Sequence, residues 1–545
     1  MTASLLNALS AAISDNPVHV LQLRKIVVAL AISGRLNETD ASIGREEILA
    51  LLDDVKRRLI SQRILTKQKP IVAITHDQLP DDFSDPSKFV SLGQIARVEK
   101  GKTGIQQAKP GPYPLVVTAA ERITADHYDF DGAAAIIPLV SSTGHGNASI
   151  NRLHYQEGQF ALGTILAAVL PHDPALFSAR FLFEYLSAFK KELLVSRMSG
   201  TANVTLTLGR IEDVPVPLVP PVIQQQLDEL MALCDELEAA RTERETKRDR
   251  LTAASLARLN TPDPETFRDD ARFALDALPA LTSRPDQIKQ LRQTILNLAV
   301  RGKLVPQDPA DEPAEELLKR IQADKAARAV SSRDRRAAEI KPIAKDQVPF
   351  VMPSHWVGVI FGDVVVSRDG ERVPVSREER ELRAKVFDYY GASGVIDKID
   401  GFLFDKPLLL IGEDGANLIN RSSPIAFIAR GKYWVNNHAH VIDGLSLDLL
   451  RYLELFINSI DLKPYVTGTA QPKMNQAKMN SIVVALPPLA EQHRIVAKVD
   501  ELMALCDQLE TSLTTADETR KKLLDALLAE ALAPVDAEAL QEAAE

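Results

Sequence analysis

Cysteine is nearly absent from this chain of 545 residues, which has only Cys234 and Cys506. A disulfide framework is therefore excluded as the source of stability, and reducing surroundings are expected. No run approaches the ~18 uninterrupted apolar residues of a membrane-spanning helix. The first residues, MTASLLNALSAAISDN, lack the basic start of a secretory signal, so the cytoplasm is the expected compartment. Positive charge is also short: the formal net charge is −10. That argues against a protein that coats nucleic acid without regard to sequence, yet total charge says little about a local patch. Residues 89–219 carry 11 basic and 11 acidic side chains, residues 356–488 carry 15 and 16, and Ala529 to Glu545 has five acids and no base. DNA contact by the two central stretches stays open, with partners supplying further positive surface.

Catalytic signatures are missing as well. Gly101-Lys102-Thr103 has Ala96 where a phosphate-wrapping loop needs glycine, and Gly144-His145-Gly146 lacks the third glycine of a dinucleotide fingerprint. No Asn-Pro-Pro or Asp-Pro-Pro of an amino-methyltransferase occurs. Acid-plus-lysine nuclease patterns are too degenerate to exclude by eye.

What is present is a long-period duplication, which dictates architecture before any local reading. Asp228 to Glu238, DELMALCDELE, returns as Asp500 to Glu510, DELMALCDQLE. Gln22-Leu23-Arg24 followed by Ala31 to Leu36 returns as Gln290-Leu291-Arg292 followed by Ala299 to Leu304, and Ser199-Gly200-Thr201-Ala202 as Thr467-Gly468-Thr469-Ala470. Each half runs short helix, irregular β-rich body, Gly-Thr-Ala turn, strand, Pro-Pro, long helix. The bodies themselves look unlike. This points to copies kept alike where they hold each other and different where they touch something else.

Pattern places helices near 17–33 and 43–66, the second entered through Gly44 with Glu46 and Glu47 in its first turn. Leu79 to Ser87 reads as a linker, and 89–219 as a mixed body of short strands with a helix from Ser178 to Ser196. Helices follow at Val222 to about Leu259, Pro285 to Val300 and Ala314 to Ala329. Asp324 to Lys345 reads as a charged, solvated linker. The second body runs from Trp356 to the strand ending at Leu486. Along the long helices, Leu230, Leu233, Leu237 and Leu251, and in the copy Leu502, Leu505, Leu509 and Leu523, fall on a 3,4-spaced seam. Such spacing suits mutual, antiparallel, coiled-coil-like packing; an ordinary amphipathic helix on its own body is the bland alternative. Helices of ~40 residues would be ~60 Å long.

The polar clusters admit more than one reading. Asn436-Asn437-His438-Ala439-His440, placed on a strand, would aim both imidazoles to one side. Metal ligation, structural bonding to backbone, and base or phosphate contact all remain open, the last because Asn can bridge adenine N6 and N7. Ser141-Ser142-Thr143-Gly144-His145-Gly146-Asn147 is a loop that could approach phosphates or simply turn the chain. Gly412 to Asn417 with Arg421 is similar, and its acids might accept from cytosine N4. Lys463, Gln471 and Lys473 flank the second Gly-Thr-Ala turn. With Lys102, Thr103, Thr201, Asn203 and Thr469, these are the candidate DNA-contacting residues; no catalytic and no metal-ligating residue is expected.

Leu486-Pro487-Pro488-Leu489-Ala490-Glu491-Gln492 with Ile495-Val496, Ala299-Val300-Arg301-Gly302-Lys303-Leu304-Val305-Pro306-Gln307, the Gly-Thr-Ala turns and the repeated helix together resemble the specificity subunits of type I restriction-modification enzymes, over nearly the whole chain. One departure stands out. Pro220-Pro221 leads to Asp228 by a shorter path than Pro487-Pro488 to Asp500, without the Glu-Gln and Ile-Val pairs, which puts strict two-fold symmetry in doubt. The resemblance implies an α+β fold with an internal pseudo-repeat: two mixed α/β target-recognition domains (89–219 and 350–488) joined by two long antiparallel coiled-coil-like helical regions. An N-terminal helical region (1–78), a central region with linker (220–345), a C-terminal helix (489–532) and an acidic tail (533–545) complete it. It implies a non-catalytic reader of a bipartite, asymmetric target in double-stranded DNA, directing adenine methylation and restriction. Two methylation subunits and two restriction/translocation subunits are the implied partners. S-adenosylmethionine, ATP and Mg²⁺ would bind to them, with no cofactor on this chain and no membrane partner. A self-contained restriction enzyme or methyltransferase, or a coiled-coil scaffold, are the alternatives.

Overall fold

The computed structural model describes residues 17–36, 44–63, 65, 73–80, 83, 85–143, 146–201, 203–260, 265–278, 282–328, 340, 343–344, 347–468 and 471–532. The chain divides into two compact units, at Thr246/Lys247 and again at Thr514/Thr515. The fold is α+β: two sheet-rich bodies and long helices. Four helices frame the units: α1 (Pro17–Ile32), α2 (Pro221–Asn260), α3 (Pro285–Val300) and α4 (Leu489–Leu532). The divisions fall inside α2 and α4, so each unit holds the start of one long helix and the end of the other.

The bodies share one topology despite their unlike sequences. In the first, an antiparallel sheet runs Ala96–Lys100, Leu166–Pro171, Ala134–Pro138, His154–Gln156; in the second, Val366–Ser367, Ala439–Asp443, Leu408–Gly412, Ala426–Ala429. A further sheet in each contains one parallel pair, Tyr113–Val116 with Gln159–Leu162 and Phe387–Gly391 with Lys432–Val435. Register matches too: Phe130 opposite Phe160 corresponds to Phe404 opposite Tyr433, and Ile137 opposite Ala167 to Ile411 opposite His440. The central strands are buried along their full length, which is why they read as continuous apolar runs rather than alternating ones. The first and last strands of each body pair with one another, Phe89–Ser91 with Pro215–Pro217 and Val357–Ile360 with Val483–Leu486, so the chain enters and leaves side by side.

One helix covers each main sheet. Ala179–Ala188 is capped by the Ser178 hydroxyl, which accepts from Phe181 N at 2.9 Å, and Leu447–Ser459 by Ser446, which accepts from Leu449 N at 3.2 Å. From these helices the buried Tyr185 and Tyr452 hydroxyls donate to the carbonyls of Pro215 (2.8 Å) and Ala485 (2.6 Å) on the last strands. Burial holds both phenols well above their ordinary range.

The repeated motifs meet each other. In the first unit the Arg24 guanidinium on α1 bonds Asp235 and lies 3.5 Å from Glu238 and 3.8 Å from Met231 Sδ on α2. In the second, Arg292 on α3 lies 2.7 Å from Asp507, 3.0 Å from Glu510 and 3.9 Å from Met503 Sδ on α4. Each short helix also takes the end of the other half's long helix. Gln22 donates to Asp525 at 2.7 Å, Arg35 to the Glu530 carbonyl, and His19 lies 3.4 Å from Asp517. In the second unit Asn260 bonds Thr294 (3.2 Å) and Asn297 (2.8 Å), Arg301 donates to the Asn260 carbonyl, and Arg284 bonds Asp249.

The expected leucine seam is divided. Leu230 packs partly against the first core, Leu251 against the Leu256, Leu259 and Ala274 cluster, and Leu502 and Leu509 against the second core. Leu233, Leu237, Leu505 and Leu523 are 41–54% exposed. The buried line holds Cys234, Cys506 and Leu524, one residue on from Leu233, Leu505 and Leu523. That is about 100° round a helix of 3.6 residues per turn. The reason is that these stretches bury themselves under a short helix and a sheet-rich body, so the most buried face is the one turned to that core. Both cysteines are free and buried.

The shorter approach to α2 changes length rather than face. Gln224 is buried and donates to the carbonyls of Val219 (2.7 Å) and Leu176 (2.9 Å), the place taken in the second half by Gln492, which donates to Pro487 at 2.9 Å. From that anchor to the acidic partner of the arginine, α4 has about one turn more than α2. Near one full turn, the insertion leaves Leu227 and Ile495 both buried beneath their bodies. Asp324 to Arg328 lies within the helix Ala314–Arg328, and Lys325 donates to the carbonyls of Gly362 (3.1 Å) and Asp363 (2.9 Å), so the expected linker begins as tethered helix; residues 329–339 lie outside the described residues.

Leu524→Ala is expected to destabilise the first unit by about 2–5 kcal/mol, and the exposed Leu523→Ala by less than about 0.5 kcal/mol. Trp356 and Trp434 both lie in the second unit. In urea titrations of the full chain, Leu524→Ala should move the early part of the circular-dichroism transition and leave the tryptophan-fluorescence midpoint in place.

Candidate nucleic-acid interface

In both bodies the loop after the central buried strand is stitched to the Gly-Thr-Ala turn. In the first, Val140 bridges Thr205, Ser141 N donates to the Val204 carbonyl (3.0 Å), and Ser199 and Thr205 exchange backbone bonds at 2.9 Å. Gly200 has φ +132°, and a Cβ there would fall 2.1 Å from the Asn203 carbonyl, so only glycine makes this turn. In the second, Asp414 bridges Lys473, Gly415 N donates to Pro472 O (3.0 Å), and Thr467 and Lys473 exchange bonds at 2.8 Å. Gly468 has φ +84°.

In the first body Ser141 and Thr143 hydroxyls both donate to the Asn147 carbonyl, and Ser142 Oγ accepts from Asn151 N at 3.1 Å. The hydroxyls thus close the loop, while Ser142, Thr143, Asn147, Thr201 and Asn203 stay exposed beside one another in the stitched pair. His145 lies outside the described residues. Lys102 and Thr103 belong elsewhere, beside the second sheet. Lys102 is exposed, its ammonium 5.4 Å from the Phe130 ring centre. Thr103 is buried: its hydroxyl donates to Asp129 (2.8 Å) and meets His127 Nε2 at 2.9 Å, while His127 Nδ1 faces Asp126 at 2.8 Å. Hydroxyl, imidazole and carboxylate stand in line, but the one hydroxyl proton goes to Asp129. Thr103 is thus enclosed, unlike the exposed Lys102 beside it.

The second body gathers three segments, 413–417, 436–440 and 467–474. His438 lies in the turn before the strand, 52% exposed, with Nδ1 2.7 Å from Asp414. His440, on the strand and 1% exposed, has Nδ1 2.6 Å from Asp369 Oδ2 and Nε2 2.9 Å from the Met474 carbonyl. The expected convergence of the two rings fails because strand alternation does not extend back to His438. Four further candidates are taken up by bonds within the body. Asn436 is buried and accepts from His438 N at 2.8 Å. Asn417 closes its own turn onto Ser423. Arg421, with φ +49°, spends its guanidinium on the carbonyls of Asn458 and Ile460, and His440 is enclosed. Glu413, considered as an acceptor for cytosine, has its oxygens on Arg372 (2.7 Å) and Lys473 (3.1 Å). What faces solvent is Asn437, His438, Gln471 and Lys473. Lys463 is exposed on the short turn Lys463–Tyr465, outside the three segments, and Thr469 lies outside the described residues. Arg372, Asp369 and Met474 organise the cluster, and nothing in their spacing announced it.

Two histidines of the first body are held neutral. His154, in the sheet, is lowered to about 4 by burial and by Arg122, whose guanidinium lies 3.3 Å from Nδ1, and Arg152. His172 is lowered to about 4 by burial, against a bond from the ring to the Gly93 backbone, with Lys56 and Arg97 adding to the fall. The unfolded chain takes up these protons near 6.5 and the folded body does not. Their contribution is therefore whole above pH 6.5 and is lost as pH falls toward 4. The first unit's unfolding midpoint should drop between pH 7.5 and 5, and His154→Asn with His172→Gln should flatten that drop.

The family model for the type I restriction modification DNA specificity domain matches residues 353–516. The specificity subunit of the type I restriction enzyme EcoEI of Escherichia coli is 25% identical over 564 residues, covering 94% of each chain. That of EcoAI, also of E. coli, is 25% identical over 574 residues, covering 93% of each. A solved S subunit of a type I restriction-modification system from M. genitalium covers 80% of this chain and 94% of its own, at 12% identity and a TM-score of 0.31.

Proposed function

From the membership of this chain in the specificity subunits of type I restriction-modification systems, we propose that its two bodies, 89–219 and 350–488, each read one half of a split, asymmetric sequence in double-stranded DNA. The observation that carries this is the pairing of identical topology and register with different chemistry at the stitched loops. The first body presents Ser142, Thr143, Asn147, Thr201 and Asn203, and the second Asn437, His438, Gln471 and Lys473. One scaffold holding two unlike sets of donors and acceptors is what reading two different half-sites requires. Cations here are few, so partner subunits supply most phosphate contact. Those partners are two methylation subunits and two restriction/translocation subunits, which carry S-adenosylmethionine, ATP and Mg²⁺. The chain itself is the non-catalytic, cytoplasmic reader. The long helices set the separation of the half-sites, because linked modules gain affinity only when the linker fits the span.

The deciding experiment maps methylated adenines on unmodified bacterial genomic DNA treated with the full chain and its methylation subunit. Gln471→Ala with Asn437→Ala should relax base choice in one half of a bipartite motif, and Asn147→Ala with Asn203→Ala in the other. A motif lost as a whole, or methylation indifferent to sequence, would refute the assignment. Adding one helical turn at Thr246/Lys247 and one at Thr514/Thr515 should lengthen the unread spacer by roughly two base pairs, ~6 Å of helix against 3.4 Å per pair, with both half-sites unchanged.

A further inference from the structure

His440 is the one buried ring in the second body whose two nitrogens both face oxygen acceptors: a carboxylate of Asp369 at 2.6 Å and the Met474 carbonyl at 2.9 Å. A neutral imidazole has one N–H and can satisfy only one of them; the imidazolium satisfies both. The groups around it form a closed charge set. Asp369 also accepts from Val441 N (2.8 Å) and lies 3.5 Å from Arg372. Glu413 Oε2 stands 3.8 Å from the ring and is bonded by Arg372 and Lys473. Outside these lies the Asp414–His438 pair. Burial alone would raise the Asp369 carboxyl, yet the bonds from His440 and Val441 N carry it below its usual range. Through Asp369 the ring holds the turn Asp369–Glu371; through Met474, whose N donates to the Glu413 carbonyl at 2.8 Å, it holds the stitched loop. At the matching register of the first body stands Ala167, fully buried against an apolar neighbour.

We propose that His440 is a positioning residue that, through its two ring nitrogens, bolts the 467–474 turn to the 413–417 loop and so sets the base preference of the second body alone. The proposal rests on the reader function above. Loss of the ring's bonds to Asp369 and Met474 loosens the turn and carries Gln471 and Lys473 with it. Selectivity in the second half-site then falls, whereas the first, with Ala167 at the matching register, does not respond.

Two measurements test this. In the full chain labelled with 15N-histidine, the His440 signals, identified by their loss in His440→Gln, should show both ring nitrogens hydrogen-bonded; a ring with either nitrogen free overturns the bolt. In the complex with the methylation subunit, methylation of genomic DNA by His440→Gln should show mis-reading of the second half-site about tenfold above the wild type, with the first half-site unchanged. Both halves loosening together, or neither, overturns the positioning role. Should His440→Gln fail to fold by tryptophan fluorescence, Asp369→Asn carries the same test. Methylation without sequence dependence would instead remove the reader function, with the nitrogen spectrum still deciding the hydrogen bonding of the ring.

Discussion

Each short helix of this protein lies against the start of its own long helix and the end of the other's, and the rest of the structure depends on that double contact. Arg24 reaches Asp235 and Glu238 of α2 while Gln22 and Arg35 reach Asp525 and Glu530 of α4; Arg292 and Asn297 do the same with α4 and α2 exchanged. The first half does not complete its core from its own sequence. Leu524 and Ala531 belong to the first core although the chain reaches them only after the whole second body.

That exchange accounts for what the duplication kept. Gln-Leu-Arg and the repeated helix DELMALCDELE/DELMALCDQLE recur because the arginine of the first binds the last acids and the methionine sulfur of the second. The 299–307 and 486–492 motifs also meet. Glu491 accepts from Trp356 Nε1 and Gln307 Nε2, both at 2.8 Å, and Gly302, at φ +67°, lies so close that a Cβ would fall 2.5 Å from Pro353. These motifs hold a body to its helix, a structural task. Burial raises the Glu491 carboxyl even as the Trp356 bond opposes it, so this junction is polar, enclosed and specific in geometry. The first half, with Ile223 in the place before Gln224, is apolar at the corresponding point.

The bodies divide their labour differently. Their sheets and covering helices are equivalent strand for strand, and the loops stitched to the Gly-Thr-Ala turns differ in chemistry. In the first these loops are closed by hydroxyls, in the second by a charge network around His440. Loops varied in this way leave the sheets beneath them unchanged, and a rigid scaffold holds the donors and acceptors it carries at fixed positions.

The sequence by itself determined the duplication, the helix at Pro285–Val300 and the start of a second at Ala314, because periodicity, turn residues and apolar runs are local signals. The stitched loops were legible as segments. Which of their side chains remain outside was decided only by tertiary structure: Arg421 and His440 turn toward carbonyls and a carboxylate distant in sequence, while Asn417 and Asn436 are taken up by neighbouring backbone. The one-residue offset between the leucine seam and the buried line belongs to the same class. A helix carries apolar residues on more than one face, and only its neighbours decide which face leaves water.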